Sequence, residues 1–234
     1  MNIIRNDPLI RRNARIAQIT TIAGLVVLMG GIYISLGNPQ MMGLSWAALM
    51  LGFILSQLGI YFSNRWGRHP RPDELLDTAL KGLDKRHTLF HYKTPVSHLL
   101  LGPSGLWVLM PYYQRGVITC SQGRLRQSGN LFLTFLKLFA QEGIGRPDLE
   151  VAGAVDSLRN YLGKRLEESD IPPIQTALVF THPKVVIDIP EEESPPAPAV
   201  LLKELKGLVR KEAKSKSLTP EKVKLIEDAL VSSK

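Results

Sequence analysis

The chain of 234 residues has one cysteine, Cys120. A lone thiol rules out a disulfide framework and a cysteine-based zinc knuckle, and no neighbouring histidine completes a nucleophile pair. Aspartate and glutamate are missing from the whole stretch between Asp84 and Glu142. Metal-dependent phosphodiester cleavage needs clustered carboxylates to hold a hard cation and orient water, so that stretch supplies no metal ligands. Basic residues persist there: Lys85, Arg86, Lys93, Arg115, Arg124, Arg126 and Lys137. A P-loop, a dinucleotide fingerprint, an H-E-x-x-H helix and a nucleophile elbow are also missing. Charge of either sign is absent from residues 16–36 and again from residues 43–62.

Those two uncharged runs approach the ~20 residues that a helix needs to cross a bilayer. A helical hairpin satisfies its own backbone hydrogen bonds in lipid. The first run exceeds the h-region of a signal peptide, and no A-x-A-like site follows it. We therefore expect an integral membrane protein with a two-helix hairpin over residues 16–64. Arg5, Arg11, Arg12 and Arg15 precede the first run, Arg65, Arg68 and Arg71 follow the second, and the connection Gly37-Asn38-Pro39-Gln40-Met41-Met42 is uncharged. The distribution of basic residues puts both termini and the remaining domain in the cytoplasm, at a bacterial-type inner membrane or a plasma membrane. Tyr33, Tyr61 and Trp66 fall where amphipathic rings anchor. Ala48, Gly52 and Ser56 repeat small side chains every four residues, which lets helices approach closely. The expected partner is the first span, with Gly24, Gly30 and Gly31; dimerisation through the same face is the alternative.

The rest divides by composition. Residues 1–15 read as a basic N-terminus, 65–71 as a basic linker, 72–189 as an α/β domain, 190–199 as a Pro-rich acidic loop and 200–234 as a C-terminal helical pair. Asp73 can cap an amphipathic helix through Leu75, Leu76, Ala79, Leu80 and Leu83. Residues 87–92 alternate as a strand with His87 and His91 on one face. Two histidines without a third ligand in register are a weak metal signal, and partly exposed strand positions are the plainer reading. Residues 96–116, VSHLLLGPSGLWVLMPYYQRG, read as two buried strands around a tight Gly102-Pro103-Ser104-Gly105 turn. Residues 117–120 and 124–127 flank Ser121-Gln122-Gly123 as a hairpin. Residues 131–140 carry Phe132, Phe135 and Phe139 on one helical stripe, either as a core helix or as one dipping into the inner leaflet. Residues 151–166 form an amphipathic helix, and residues 175–180 and 185–189 form strands. Residues 201–213 and 220–231 read as helices, the second with Thr219 as cap and Pro220 at its first position.

The central stretch resembles the nuclease-related domain (NERD) family, grouped with the restriction-endonuclease-like PD-(D/E)xK fold. Its core reads I-D-H, an apolar run, G-P-x-G, a second apolar run, then E-x-K. Val96, His98, Gly102, Pro103 and Gly105 match that frame. The resemblance covers residues 72–189 and implies a mixed sheet flanked by helices, following the transmembrane hairpin. It also places the family's catalytic aspartate on Ser97, its glutamate on Met110 and its lysine on Tyr112. Glu74 is the nearest match to a glutamate on the family's first helix, and a first-turn residue complementing the helix dipole is the alternative. The implied protein is a nuclease-like domain without metal, cofactor or catalytic triad.

Three functions follow. The first is a membrane-anchored, catalytically inactive binding module, in which Arg115, Arg124 and Arg126 meet anionic lipid or nucleic acid. The second is a scaffold that docks a protein through its C-terminal helices. The third is a divergent nuclease using Glu74, Asp77 and Asp84, which the sequence places on or after one helix.

Overall fold

The structure, a computed structural model, describes residues 1–128, 143–215 and 217–231. It divides into two compact units: Asp7–Arg71, and Met1–Asn6 together with Pro72–Lys234. The apolar stretch 131–140, including Phe132, Phe135, Lys137 and Phe139, lies outside the described residues.

The first unit is a helical hairpin. Helix α1 (Asp7–Gly37) and helix α2 (Met42–Phe62) are joined through a single 3-10 turn, Pro39–Met41. Both helices are long and apolar enough to cross a membrane, and only 11% and 17% of their most apolar windows are buried. Ile22, Val26, Met29, Trp46, Met50 and Phe53 are all exposed. A soluble core helix buries such side chains, whereas here they form an exposed apolar surface. The two helices meet through their smallest residues. Ser45 Oγ donates to the Gly31 carbonyl at 2.8 Å. A Cβ on Gly24 would lie 2.8 Å from Ser56 Oγ, and one on Gly52 would lie 2.7 Å from Leu28. Ala48 lies against Gly31. The Ala48, Gly52, Ser56 stripe is thus used inside the hairpin. Tyr33 and Tyr61 are exposed, whereas Trp66 is buried, packed on Phe62 with Arg65 over its ring. A π turn over Ser63–Gly67 replaces part of the expected linker.

The second unit is mixed α/β. Its elements are β1 (Asn2–Arg5), α3 (Pro72–Leu80), β2 (Thr88–His91), β3 (His98–Gly102), β4 (Gly105–Tyr112), β5 (Gly116–Ser121), β6 (Arg124–Ser128), α4 (Pro147–Leu162), β7 (Ile174–Phe180), β8 (Val185–Ile187), β9 (Ala199–Leu201), α5 (Leu205–Ser215) and α6 (Pro220–Val231). Six strands form a mixed sheet in the order β1-β2-β3-β4-β7-β9, and three form a second sheet, β6-β5-β8. Helices α3 and α5 cover one face, where Leu76, Leu80, Leu205 and Val209 meet Leu89, Leu100 and Trp107. Helices α4 and α6 cover the other, where Leu158, Leu162, Ile226 and Leu230 meet Phe90, Leu99, Leu101 and Val108. Strand β3 is buried on both faces, which is why it reads as a continuous leucine run.

Two boundaries differ from the sequence reading. The N-terminus is not a uniform basic segment over residues 1–15. Asn2–Arg5 is a strand, paired in parallel with β2 from Asn2 against Thr88 to Arg5 against His91, and α1 begins at Asp7. The C-terminal region does not begin as a helix. Residues 199–201 add a parallel strand to β7, and the helix starts at Leu205. Strands of three or four residues carry too little periodicity to be seen in one sequence.

Candidate functional site

The Gly102-Pro103-Ser104-Gly105 turn joins β3 to β4, with Gly102 paired to Gly105. Its glycines serve different ends. Gly105 has φ of +106°, a conformation side chains rarely adopt. Gly102 makes room, since a Cβ there would lie 2.4 Å from the His87 ring. His87 Nε2 is 3.2 Å from Ser104 Oγ, and Trp107 Nε1 donates to the Ser104 carbonyl at 2.9 Å. This serine–histidine pair is closed to substrate, with Ser104 1% and His87 5% exposed. Burial depresses the His87 pKa below its ordinary value. The motif is a structural lock.

Strands β3 and β4 are hydrogen-bonded neighbours, so Ser97, one residue before β3, and Met110 lie on adjoining segments. Met110 is half-buried and packs into the core on the α4 side. Tyr112 stacks on Phe180 with ring centroids 5.7 Å apart, and its hydroxyl donates to Glu150 Oε2 at 2.7 Å. Burial first, and Glu150 second, push the Tyr112 hydroxyl pKa well up. Tyr112 is therefore a neutral hydrogen-bond donor already paired to a carboxylate.

The structure assembles a polar cluster that the sequence reading missed. It lies on the α3 side of the sheet, where β1, β2 and β3 meet helix α3. Arg5 Nε is 3.2 Å from the fully buried Asp73 carboxylate, and the Arg5 guanidinium also ion-pairs with Asp77. Asp77 Oδ1 lies 3.0 Å from His91 Nε2, and His91 Nδ1 lies 2.7 Å from His98 Nδ1. His91 and His98 are 0% and 2% exposed, and His87 is buried too, so His87 and His91 are not the partly exposed strand positions their sequence suggests. Asn6 Nδ2 donates to the Tyr92 carbonyl at 3.1 Å, and the Tyr92 ring meets the His98 ring edge-on at 4.9 Å. Tyr92 holds φ of +56°, unfavourable by about 1–2 kcal/mol, and its N–H donates to the Ser97 carbonyl at 2.8 Å.

The geometry of this cluster is not that of a metal site. The two Nδ1 atoms face each other, His91 Nε2 faces Asp77, and the Arg5 guanidinium supplies positive charge between the carboxylates. Among the described residues, no group of three or more His, Cys, Asp or Glu side chains converges on a common point. The set Glu74, Asp77 and Asp84 is not assembled either. Asp77 faces Arg5 and His91, whereas Asp84 is hydrogen-bonded to Arg86, which holds its pKa at about 2. Glu74 is half-buried on α3, where its carbonyl accepts from Thr78 Oγ1 at 2.9 Å.

Arg124 and Arg126 are exposed and, two residues apart on β6, share its outward face. Arg115 differs from them. It is half-buried in the turn before β5, and its carbonyl accepts from Gln127 Nε2 at 2.9 Å. The hairpin is free of acidic residues in sequence but not in space: Glu193, from the Pro-rich loop, accepts from the Gln122 and Gly123 amides at 3.1 and 3.3 Å. Cys120 lies on β5 of this hairpin with its side chain buried, and burial together with Glu193 raises its thiol pKa, as suits an inert position. No family model, curated protein or solved structure matches this chain.

Proposed function

We propose that this chain is a membrane-anchored nuclease-related domain that has exchanged catalysis for binding, and that the outward face of β6, with Arg124 and Arg126, meets anionic lipid headgroups of the cytoplasmic leaflet. The observation that carries this reading is the path of the chain. It leaves the α/β unit at Asn6, runs through two helices long and apolar enough to cross a membrane, and re-enters the same unit at Pro72. A membrane-spanning hairpin whose two ends join one folded unit begins and ends on one side of the bilayer, and the flanking arginines favour the cytoplasmic side. Tethering also favours a lipid ligand, because the domain stays close to headgroups at all times. Each basic side chain near an anionic surface contributes on the order of 1 kcal/mol, so two orient the domain without holding it alone.

The restriction-endonuclease-like part of the reading rests on the G-P-x-G frame and on strand adjacency at Ser97 and Met110. Loss of nuclease function follows from Ser97, Met110 and the paired Tyr112 standing where the family's triad would be. Full-length protein in nanodiscs tests both halves. Zwitterionic and anionic discs are compared by protection of the β5–β6 hairpin in hydrogen exchange, and the protein is incubated with single- and double-stranded DNA plus Mg²⁺ or Mn²⁺. Anionic discs should protect the hairpin, Arg124→Glu with Arg126→Glu should abolish that protection, and DNA should stay intact. DNA cleavage lost in Asp77→Ala would replace the proposal with the divergent nuclease. Equal protection in both discs would favour the protein scaffold.

A further inference from the structure

We propose that His91 and His98 form a one-proton site that locks the N-terminal strand onto the sheet and releases it when a second proton binds. A 2.7 Å contact between two Nδ1 atoms requires a single proton between them, one ring donating and the other accepting. The Asp77 carboxylate can only accept, so His91 Nε2 carries a proton towards it across 3.0 Å. Two states satisfy these bonds. In the neutral pair, His98 Nδ1–H donates to His91 Nδ1. With one added proton, one ring is an imidazolium and still donates across the same contact. With two added protons, both Nδ1 atoms carry hydrogens that point at each other, and the contact cannot survive.

Burial selects the same stoichiometry. The titratable and charged groups facing the pair include Arg5 from β1, Asp73 and Asp77 from α3, and Tyr92 at the end of β2. A second imidazolium would set two cationic rings side by side at a position closed to water.

Splitting the pair reaches β1 by two routes. Asp77 is shared between His91 and Arg5, so an imidazolium at His91 competes with Arg5 for that carboxylate and loosens the anchor of Arg5. The Asn6 N–H donates to the carbonyl of His91 itself at 3.0 Å. Strand β1 is a four-residue edge strand, an element whose local opening costs little. It runs into α1 within two residues, so its release unties the N-terminal end of the hairpin from the domain. Acidification on the side of the α/β unit thereby becomes slack in the hairpin's attachment.

The test uses full-length protein in nanodiscs and hydrogen exchange of a peptide covering residues 1–10, corrected for intrinsic rates. Between about pH 7.5 and about pH 5, protection of wild-type β1 should fall by about tenfold or more. His98→Gln should hold it flat, because the Gln Oε1 accepts from His91 Nδ1–H and cannot take a proton. Unchanged wild-type protection overturns the proposal. So does an equal fall in His98→Gln, which would assign the response to His87, whose carbonyl holds the Asn2 N–H at 2.8 Å. If His98→Gln does not fold, a ¹⁵N-histidine titration of the wild type decides. Uptake of one proton by the two rings before β1 loosens supports the site, and uptake of two with β1 still protected overturns it.

Discussion

At the scale of single residues, the chain is governed by contacts between positions far apart in sequence. Gly102 was legible as a turn residue, but its reason for being glycine is the His87 ring. Gly102→Ala should therefore destabilise the protein by about 1–3 kcal/mol through forced displacement of that ring, as read from denaturant midpoints in detergent. His87 carries a pH dependence of its own. Burial depresses its affinity for protons, so the unfolded chain, with an ordinary histidine pKa near 6.5, binds the proton more readily. The stability held in the neutral ring is complete above pH 6.5 and is lost as pH falls below it. Thermal midpoints should decline through that window, and His87→Gln should lessen the slope. The Arg5–Asp77–His91 arrangement was not legible, because nothing local distinguishes Asp77 from any helical aspartate. Asp77→Asn should cost about 2–3 kcal/mol, since Arg5 and His91 both lose an anionic partner while half or fully buried.

At the scale of elements, long periodic segments were readable and short ones were not. The leucine run of β3, the turn, β4 and the helices carry their burial in their pattern. The strands β1 and β9 hold four and three residues, and they exist because neighbouring strands offer an open edge. A fragment starting at residue 72 consequently lacks a strand of its own sheet. Deleting residues 2–6 should lower the denaturant midpoint and promote association through the exposed edge of β2, which size-exclusion chromatography would detect. In the hairpin, the small-residue stripe was visible as a contact surface, and its partner is now identified within the chain. Gly52→Leu should push the helices apart, because even a Cβ at that position comes within 2.7 Å of Leu28. Loss of a cross-link between cysteines placed at Gly31 and Ala48 would report it.

At the scale of the whole molecule, both ends of an apolar hairpin feed one α/β unit, and the central proposal is that this unit lies on the cytoplasmic side of a membrane. The sequence supplied the hairpin and the arginine asymmetry; the return of residues 2–5 to the sheet supplied the reason the two ends cannot be separated. Vectorial thiol labelling in intact cells tests this most directly, and the buried Cys120 with its raised thiol pKa contributes little background. Cysteines are placed singly at Gln40 in the connection, at Ile3 in β1 and at Lys85 after α3. A membrane-impermeant maleimide added outside should label Gln40→Cys alone, and Ile3→Cys and Lys85→Cys should label together only after the membrane is opened. Labelling of Ile3→Cys and Lys85→Cys from opposite sides, or of all three from one side, would contradict the account.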